Sequence, residues 1–150
     1  MLVWQGSGRS KYFSLAGSEV AQAVEALSEL GAGPVPAAAR EIRFARCCYD
    51  HLAGQLGVSL TERLLQPGNG ILAELGIQVE ALASSRRPLF RCCTDWTERR
   101  PHIAGALGAA LLHHYKEQRW LVAVQDSRKL VVTPLGRERF ARVFGVECAG

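Results

Sequence analysis

The chain has 150 residues, is 48% hydrophobic and carries a formal net charge of +4, enough apolar material for the core of one or two small domains. Its longest apolar stretch, Ile103 to Leu112, is far short of the roughly 20 residues a membrane span needs. The start, Met1 to Gly6, lacks the basic opening, apolar run and small-residue cleavage site of a secretory signal, so the expectation is a cytoplasmic protein with no membrane partner.

In chain order, Leu2 to Trp4 and Lys11 to Leu15 read as strands around the glycine-rich turn Gln5 to Ser10, a hairpin with a basic tip. Ser18 caps a predicted helix to Leu30, with Val20, Ala23, Val24 and Leu27 on one stripe. The prolines and glycines of Gly31 to Pro36 mark a linker. A second stripe, Ile42, Ala45, Tyr49, Leu52 and Leu56, predicts a helix from Ala38 to Gln55 that breaks near Gly57 before a short helix around Leu60 to Leu65. Pro67 to Gly70 is a turn, followed by short helical pieces at Ile71 to Leu75 and Val79 to Ala83. Pro88 begins a predicted helix through Leu89, Cys92, Cys93 and Trp96, and Pro101 begins another through Ile103, Leu107, Leu111 and His114. Strands at Trp120 to Val124 and Lys129 to Thr133 form a second hairpin, and a helix from Pro134 to Phe144 closes the chain.

Two segments repeat. His51 to Leu60 and His102 to Leu111 are identical at six of ten positions, and Arg46-Cys47-Cys48-Tyr49-Asp50 parallels Arg91-Cys92-Cys93-Thr94-Asp95, with Trp96 to Pro101 inserted before the second histidine. The second copy continues into a hairpin that the first lacks. The order from Pro88 to Val146 is that of a winged helix, yet the helix before its hairpin offers mainly Ala, Gly and Leu. Base readout needs polar side chains, so packing explains that composition better.

The hairpin Leu2 to Leu15 with the following Gly17-Ser18-Glu19-Val20-Ala21 resembles the wing and dimerisation helix of ArsR-type winged-helix transcription regulators. Arg46 to Gly54 and Cys93 to Gly108 are similar to the C-terminal region of a longer ArsR-type subgroup. The resemblance implies a mainly α fold with short β-hairpins. Residues 1–31 would be a partial winged helix of wing and dimer helix, and residues 38–150 a duplicated helical effector domain with a second winged-helix-like unit. It also implies that the chain begins after the helix-turn-helix helices that read bases, and that its partners are a second copy of itself, DNA in the intact regulator, and a small-molecule or metal effector.

Four sets of residues follow as candidates. Arg9 and Lys11, at the wing tip, are placed to neutralise DNA phosphates, against the plainer reading that hairpin tips are commonly polar. Cys48 and His51, three apart on the expected helix, with Cys93 and His102 in the second repeat, would converge as a Cys2His2 set for zinc or another transition metal if the copies pack about a pseudo-twofold; otherwise the histidines bond locally and the cysteines pack. Asp95, Arg99 and Arg100 around Trp96 form either a salt-bridged corner or an effector pocket with an apolar wall and anion-holding arginines. The five cysteines, in adjacent pairs and an odd number, suit free thiols in a reducing compartment. No catalytic set is apparent, since nothing supplies an oxyanion site or a phosphate loop, so the chain reads as a non-enzyme. The reading is a DNA-binding regulator that dimerises and senses an effector, with a metal- or thiol-sensing module without DNA-binding activity as the alternative.

Overall fold

In a computed structural model, the described residues are 2–7, 10–15, 37–84 and 86–148, with side chains from Ala39 onward. The chain divides into two compact units, Met1–Pro36 and Ala37–Gly150. In the first, β1 (Leu2–Ser7) and β2 (Ser10–Leu15) pair antiparallel, from Leu2 opposite Leu15 to Ser7 opposite Ser10. The hairpin runs further than its glycines suggested: Gly6 and Ser7 belong to the ladder. The expected helix from Ser18 to Leu30 and the linker at Gly31 to Pro36 lie outside the described residues.

The second unit runs α1 (Ala37–Phe44), β3 (Arg46–Cys48), β4 (His51–Ala53), α2 (Gly54–Leu64), α3 (Ile71–Glu74), α4 (Val79–Ala83), β5 (Arg91–Thr94), β6 (Pro101–Ala104), α5 (Gly105–Glu117), β7 (Leu121–Ala123), β8 (Leu130–Val132) and α6 (Pro134–Phe144). All sheets among the described residues are two-stranded antiparallel hairpins, so the fold is α-helical with short hairpins. The two short helical pieces, the hairpin after Trp120 and the closing helix stand where the sequence puts them.

The cysteine segments do not. Neither Cys47-Cys48 nor Cys92-Cys93 is helical: the helix predicted from Ala38 to Gln55 is a helix, a hairpin and the start of a second helix, and the one predicted from Pro88 is strand β5. Apolar residues at three- and four-residue steps fit both arrangements once a turn intervenes. That turn is Tyr49-Asp50, with Tyr49 at φ 57° and almost fully exposed, a conformation bulky residues rarely adopt, so no turn residue announced it. Cys48 and His51 are consequently cross-strand partners, not neighbours on a helix face, and Cys93 and His102 repeat that pairing.

The repeat is therefore a β-hairpin that runs straight into a helix. The strand-to-helix corner is sharp in both copies, with Gly54 at φ +87° and Gly105 at φ +86°. A Cβ on Gly54 would stand 2.6 Å from the Arg43 carbonyl, and one on Gly105 would stand 2.7 Å from the Pro88 carbonyl, so both positions require glycine for conformation and for space. The copies pack reciprocally: α5 lies on β4, α2 on β6, and β4 beside β6. Thr61 fastens this exchange, its hydroxyl donating to the Gly57 carbonyl and accepting from the Ile103 N–H at 3.0 Å. Leu52, Leu56 and Leu60 meet Ile103, Leu107 and Leu111 in the shared core.

The closing hairpin and helix cover one end. Thr133 caps α6 by accepting from the Gly136 N–H, with Pro134 at its first position. Phe140 and Phe144 pack edge-on to Tyr115, which stacks on Trp120. Backbone bonds from Cys47 N–H to the Arg128 carbonyl and from Leu130 N–H to the Ala45 carbonyl tie this hairpin to β3.

Gly54→Ala is expected to destabilise the chain by about 2 kcal/mol or more, through positive-φ strain added to a backbone clash. Chemical denaturation measures it, and a loss below about 0.5 kcal/mol would contradict the requirement for glycine at this corner.

Candidate metal centre

Cross-strand pairing places Cys48 beside His51 and Cys93 beside His102, and the reciprocal packing of the repeats brings the two hairpins together. The four ligand atoms lie within 4.8 Å of one another. Donors in a tetrahedral zinc site are about 3.3–3.8 Å apart, given bonds of about 2.0–2.3 Å, so small side-chain rotations would close this set around an ion. The imidazoles of His51 and His102 have ring centroids 5.1 Å apart and are 5% and 1% exposed.

Each histidine has a carboxylate at its back. Asp50 Oδ1 is 3.2 Å from His51 Nδ1; a carboxylate only accepts, so Nδ1 carries the proton and Nε2 presents its lone pair. His51 Nε2 is buried with no hydrogen-bond partner. Asp95 Oδ2 is 3.5 Å from His102 Nδ1, and both ring nitrogens of His102 are likewise buried and unpartnered. Leaving such atoms unsatisfied costs about 1–3 kcal/mol each. A carboxylate bonded behind the imidazole, as Asp50 is to His51, is the arrangement that fixes tautomer and orientation at metal sites, and Asp95 stands close to His102 without bonding it.

Asp95 is the most heavily bonded side chain of the region. It is fully buried and accepts from Arg46 Nη2 at 2.6 Å, the Gly54 N–H at 2.7 Å, and the Thr97 hydroxyl and N–H at 2.7 and 2.9 Å. Burial works to raise its pKa, but these donors outweigh it and hold the carboxyl well below the ordinary carboxylate range. The Arg46 guanidinium lies 4.7 Å from the Trp96 ring centroid, beneath that exposed indole.

Protonation favours the metal-ready histidine. Burial, then the neighbouring His51, push His102 down to about 4, so its imidazole is neutral at physiological pH. Burial and the adjacent Cys93 push the Cys48 thiol up to about 11, so a metal ion must displace its proton. Asp50 is held down at about 2 by the Arg87 guanidinium.

Of the other predicted residues, Asp95 and Trp96 form the corner just described. Arg99 is exposed in the β5–β6 connection, and Arg100 is exposed and pairs with Glu62, while Glu98 pairs with Arg43. Arg9 and the Lys11 side chain lie outside the described residues; Lys11 itself is in β2 opposite Gly6. All five cysteines are free thiols, Cys92 exposed and Cys148 buried. Sequence reasoning missed Arg46, Asp50 and Gly54 as supports of the site, although each has its counterpart in the repeat as Arg91, Asp95 and Gly105. No helix among the described residues is long and apolar enough to cross a membrane.

The chain is similar to a protein of Bacillus subtilis (strain 168) described as the uncharacterized HTH-type transcriptional regulator YdfF, with 35% identity over 161 residues that cover 93% of this chain and 71% of the relative. No family model matches the sequence, and no solved structure matches it.

Two stability measurements check the electrostatics. Asp95→Asn leaves Arg46 buried with a weakened partner and should cost about 3–5 kcal/mol in chemical denaturation. His102 is held neutral in the fold while its unfolded counterpart titrates near 6.5, so the unfolded state binds more protons between about 6.5 and 4. The metal-free protein should therefore lose stability as pH falls from about 6.5 to about 4, by up to about 1.4 kcal/mol per pH unit, and His102→Gln should flatten that slope. An unchanged slope in the variant would contradict the neutral imidazole.

Proposed function

This chain belongs to the HTH-type transcriptional regulators, and on that premise we propose that it works as a metal-responsive, DNA-binding regulator of the ArsR type. Residues 37–148 are the sensor, and the ion is zinc or a transition metal of similar ligand preference. The observation that carries this is the convergence of Cys48, His51, Cys93 and His102 from two hairpins, with buried imidazole nitrogens that no protein group satisfies. Two thiolates and two imidazoles around a tetrahedral point suit zinc by softness and geometry. The hairpin β1–β2 is the wing, in which Arg9 and Lys11 neutralise DNA phosphates, and the sequence that follows it serves dimerisation. The protein has no catalytic role and acts in the cytoplasm, where reduced thiols remain available to the ion.

Regulation then follows from linkage. An ion that binds one dimer conformation more tightly than another shifts the balance between DNA-competent and DNA-incompetent forms by that difference in affinity and no more. The four donors come from both copies of the repeat, so the ion reads whether the two hairpins are properly opposed.

Anaerobically purified, reduced protein is expected to bind one zinc per chain, and Cys48→Ser, His51→Ala, Cys93→Ser and His102→Ala should each abolish stoichiometric binding. Zinc binding at neutral pH should expel the Cys48 proton, read as buffer-dependent heat in calorimetry, and Cys48→Ser should lessen that release. In the regulator with its helix-turn-helix, zinc should change operator affinity in the parent and not in the four variants. Removing Arg9 should reduce the salt dependence of DNA binding by about 0.9 in log–log slope, the contribution of one phosphate contact. Metal-free parent protein under these conditions, or variants that keep their zinc, would sink the sensor assignment.

A further inference from the structure

The two repeats lay out one corner twice and complete it differently. In the first, Arg46 and the N–H of Gly54 at the start of α2 hold the buried carboxylate of Asp95. The repeat makes Arg91 the counterpart of Arg46, Gly105 that of Gly54 and Asp50 that of Asp95. Across the reciprocal packing, Asp50 would thus be the carboxylate for Arg91 and Gly105. It is engaged elsewhere: Asp50 is about half exposed and is bonded by both terminal nitrogens of Arg87 and by His51.

The residues that seal the first corner also have no counterpart in the second. Trp96 covers the Arg46 guanidinium and Thr97 bonds to both Arg46 and Asp95. Both belong to the insertion between β5 and β6, whereas β3 and β4 are joined by Tyr49-Asp50 alone. What stands at the second corner is an open cleft of about 370 Å3 lined by Arg91, Gly105, Tyr49, Cys92 and the Arg87–Asp50 pair, and bordered by His51 and Cys93. That volume falls within the range of small-molecule sites.

We propose that this cleft binds a small organic carboxylate, held by Arg91 and by the N–H of Gly105 as Asp95 is held by Arg46 and Gly54. The chain itself shows what this constellation binds, because its other copy encloses a carboxylate. The charge balance agrees: Arg87 and Asp50 neutralise each other, leaving the cation of Arg91 in the cleft beside Gly105, while the next two N–H groups of α5 are taken by the Pro88 and Leu89 carbonyls. The proposal rests on the internal repeat and stands apart from the metal assignment. The bound anion would lie next to His51 and Cys93, which also line the cleft.

The test is an NMR titration of the full, isotope-labelled chain with acetate, succinate and benzoate, with sodium chloride as the ionic control. At least one carboxylate is expected to shift the Gly105 amide saturably where chloride does not. Arg91→Ala should weaken that binding about tenfold or more, the loss of one charge-assisted hydrogen bond, and Arg91→Lys should restore part of it. Arg91 is exposed, so neither variant is expected to disturb the fold, and zinc content measured on the same samples tests the metal centre separately. Cys92→Trp, which puts an indole into the cleft, should block binding. Absence of a shift with all three carboxylates at millimolar concentration, shifts matched by chloride, or binding undiminished in Arg91→Ala would each overturn the proposal.

Discussion

A single carboxylate organises the second unit. Asp95 is fully buried, and an isolated carboxylate in that position would be expelled or protonated, because desolvating a charge costs several kcal/mol even after relaxation. It stays ionised because Arg46, Gly54 and Thr97 direct four donors at its two oxygens. Those donors belong to strand β3, to the first turn of α2 and to the insertion before β6. One anion therefore fixes three pieces of chain from both repeats, and its Oδ2 also faces His102.

The duplicated hairpin–helix unit explains why such a small module assembles a four-donor centre. Each copy contributes a cysteine and a histidine facing each other across a strand pair, with a carboxylate behind the ring. One copy offers two candidate ligands, too few for a firm zinc site; two copies packed reciprocally offer four. The glycines at the strand-to-helix corners serve the same end, since the helix must leave the hairpin at once for α5 to reach β4 and α2 to reach β6.

Much of this was legible. The repeat and its paired Cys and His residues can be read from identical residues at matching positions, their meeting only on the condition that the copies pack about a pseudo-twofold, and the closing hairpin and helix from apolar strands around a polar turn and from Pro134. The hairpins at the cysteines were hidden because strands of three or four residues are too short to show alternation, and because their turns rest on Tyr49 and Arg99 in left-handed conformations that glycine or asparagine would usually announce. The partner of Asp95 was hidden for another reason. Arg46 lies 49 residues away, and no local pattern reports a pairing that only reciprocal packing creates.

The same packing decides what an ion can do here. Because the donors are divided between the two hairpins, metal affinity is realised only when both are in place, and binding adds to the stability of that arrangement in proportion to the logarithm of free metal over its dissociation constant. An ion held equally well by every conformation would strengthen the module and report nothing. Discrimination must come from a flank that can change, and the flanks differ: Asp95 is locked by Arg46, the Gly54 N–H and Thr97, whereas Asp50 is half exposed beside an open cleft and held through exposed Arg87. His51 thus stands on a half-exposed support, Asp50, and His102 beside a locked one, Asp95.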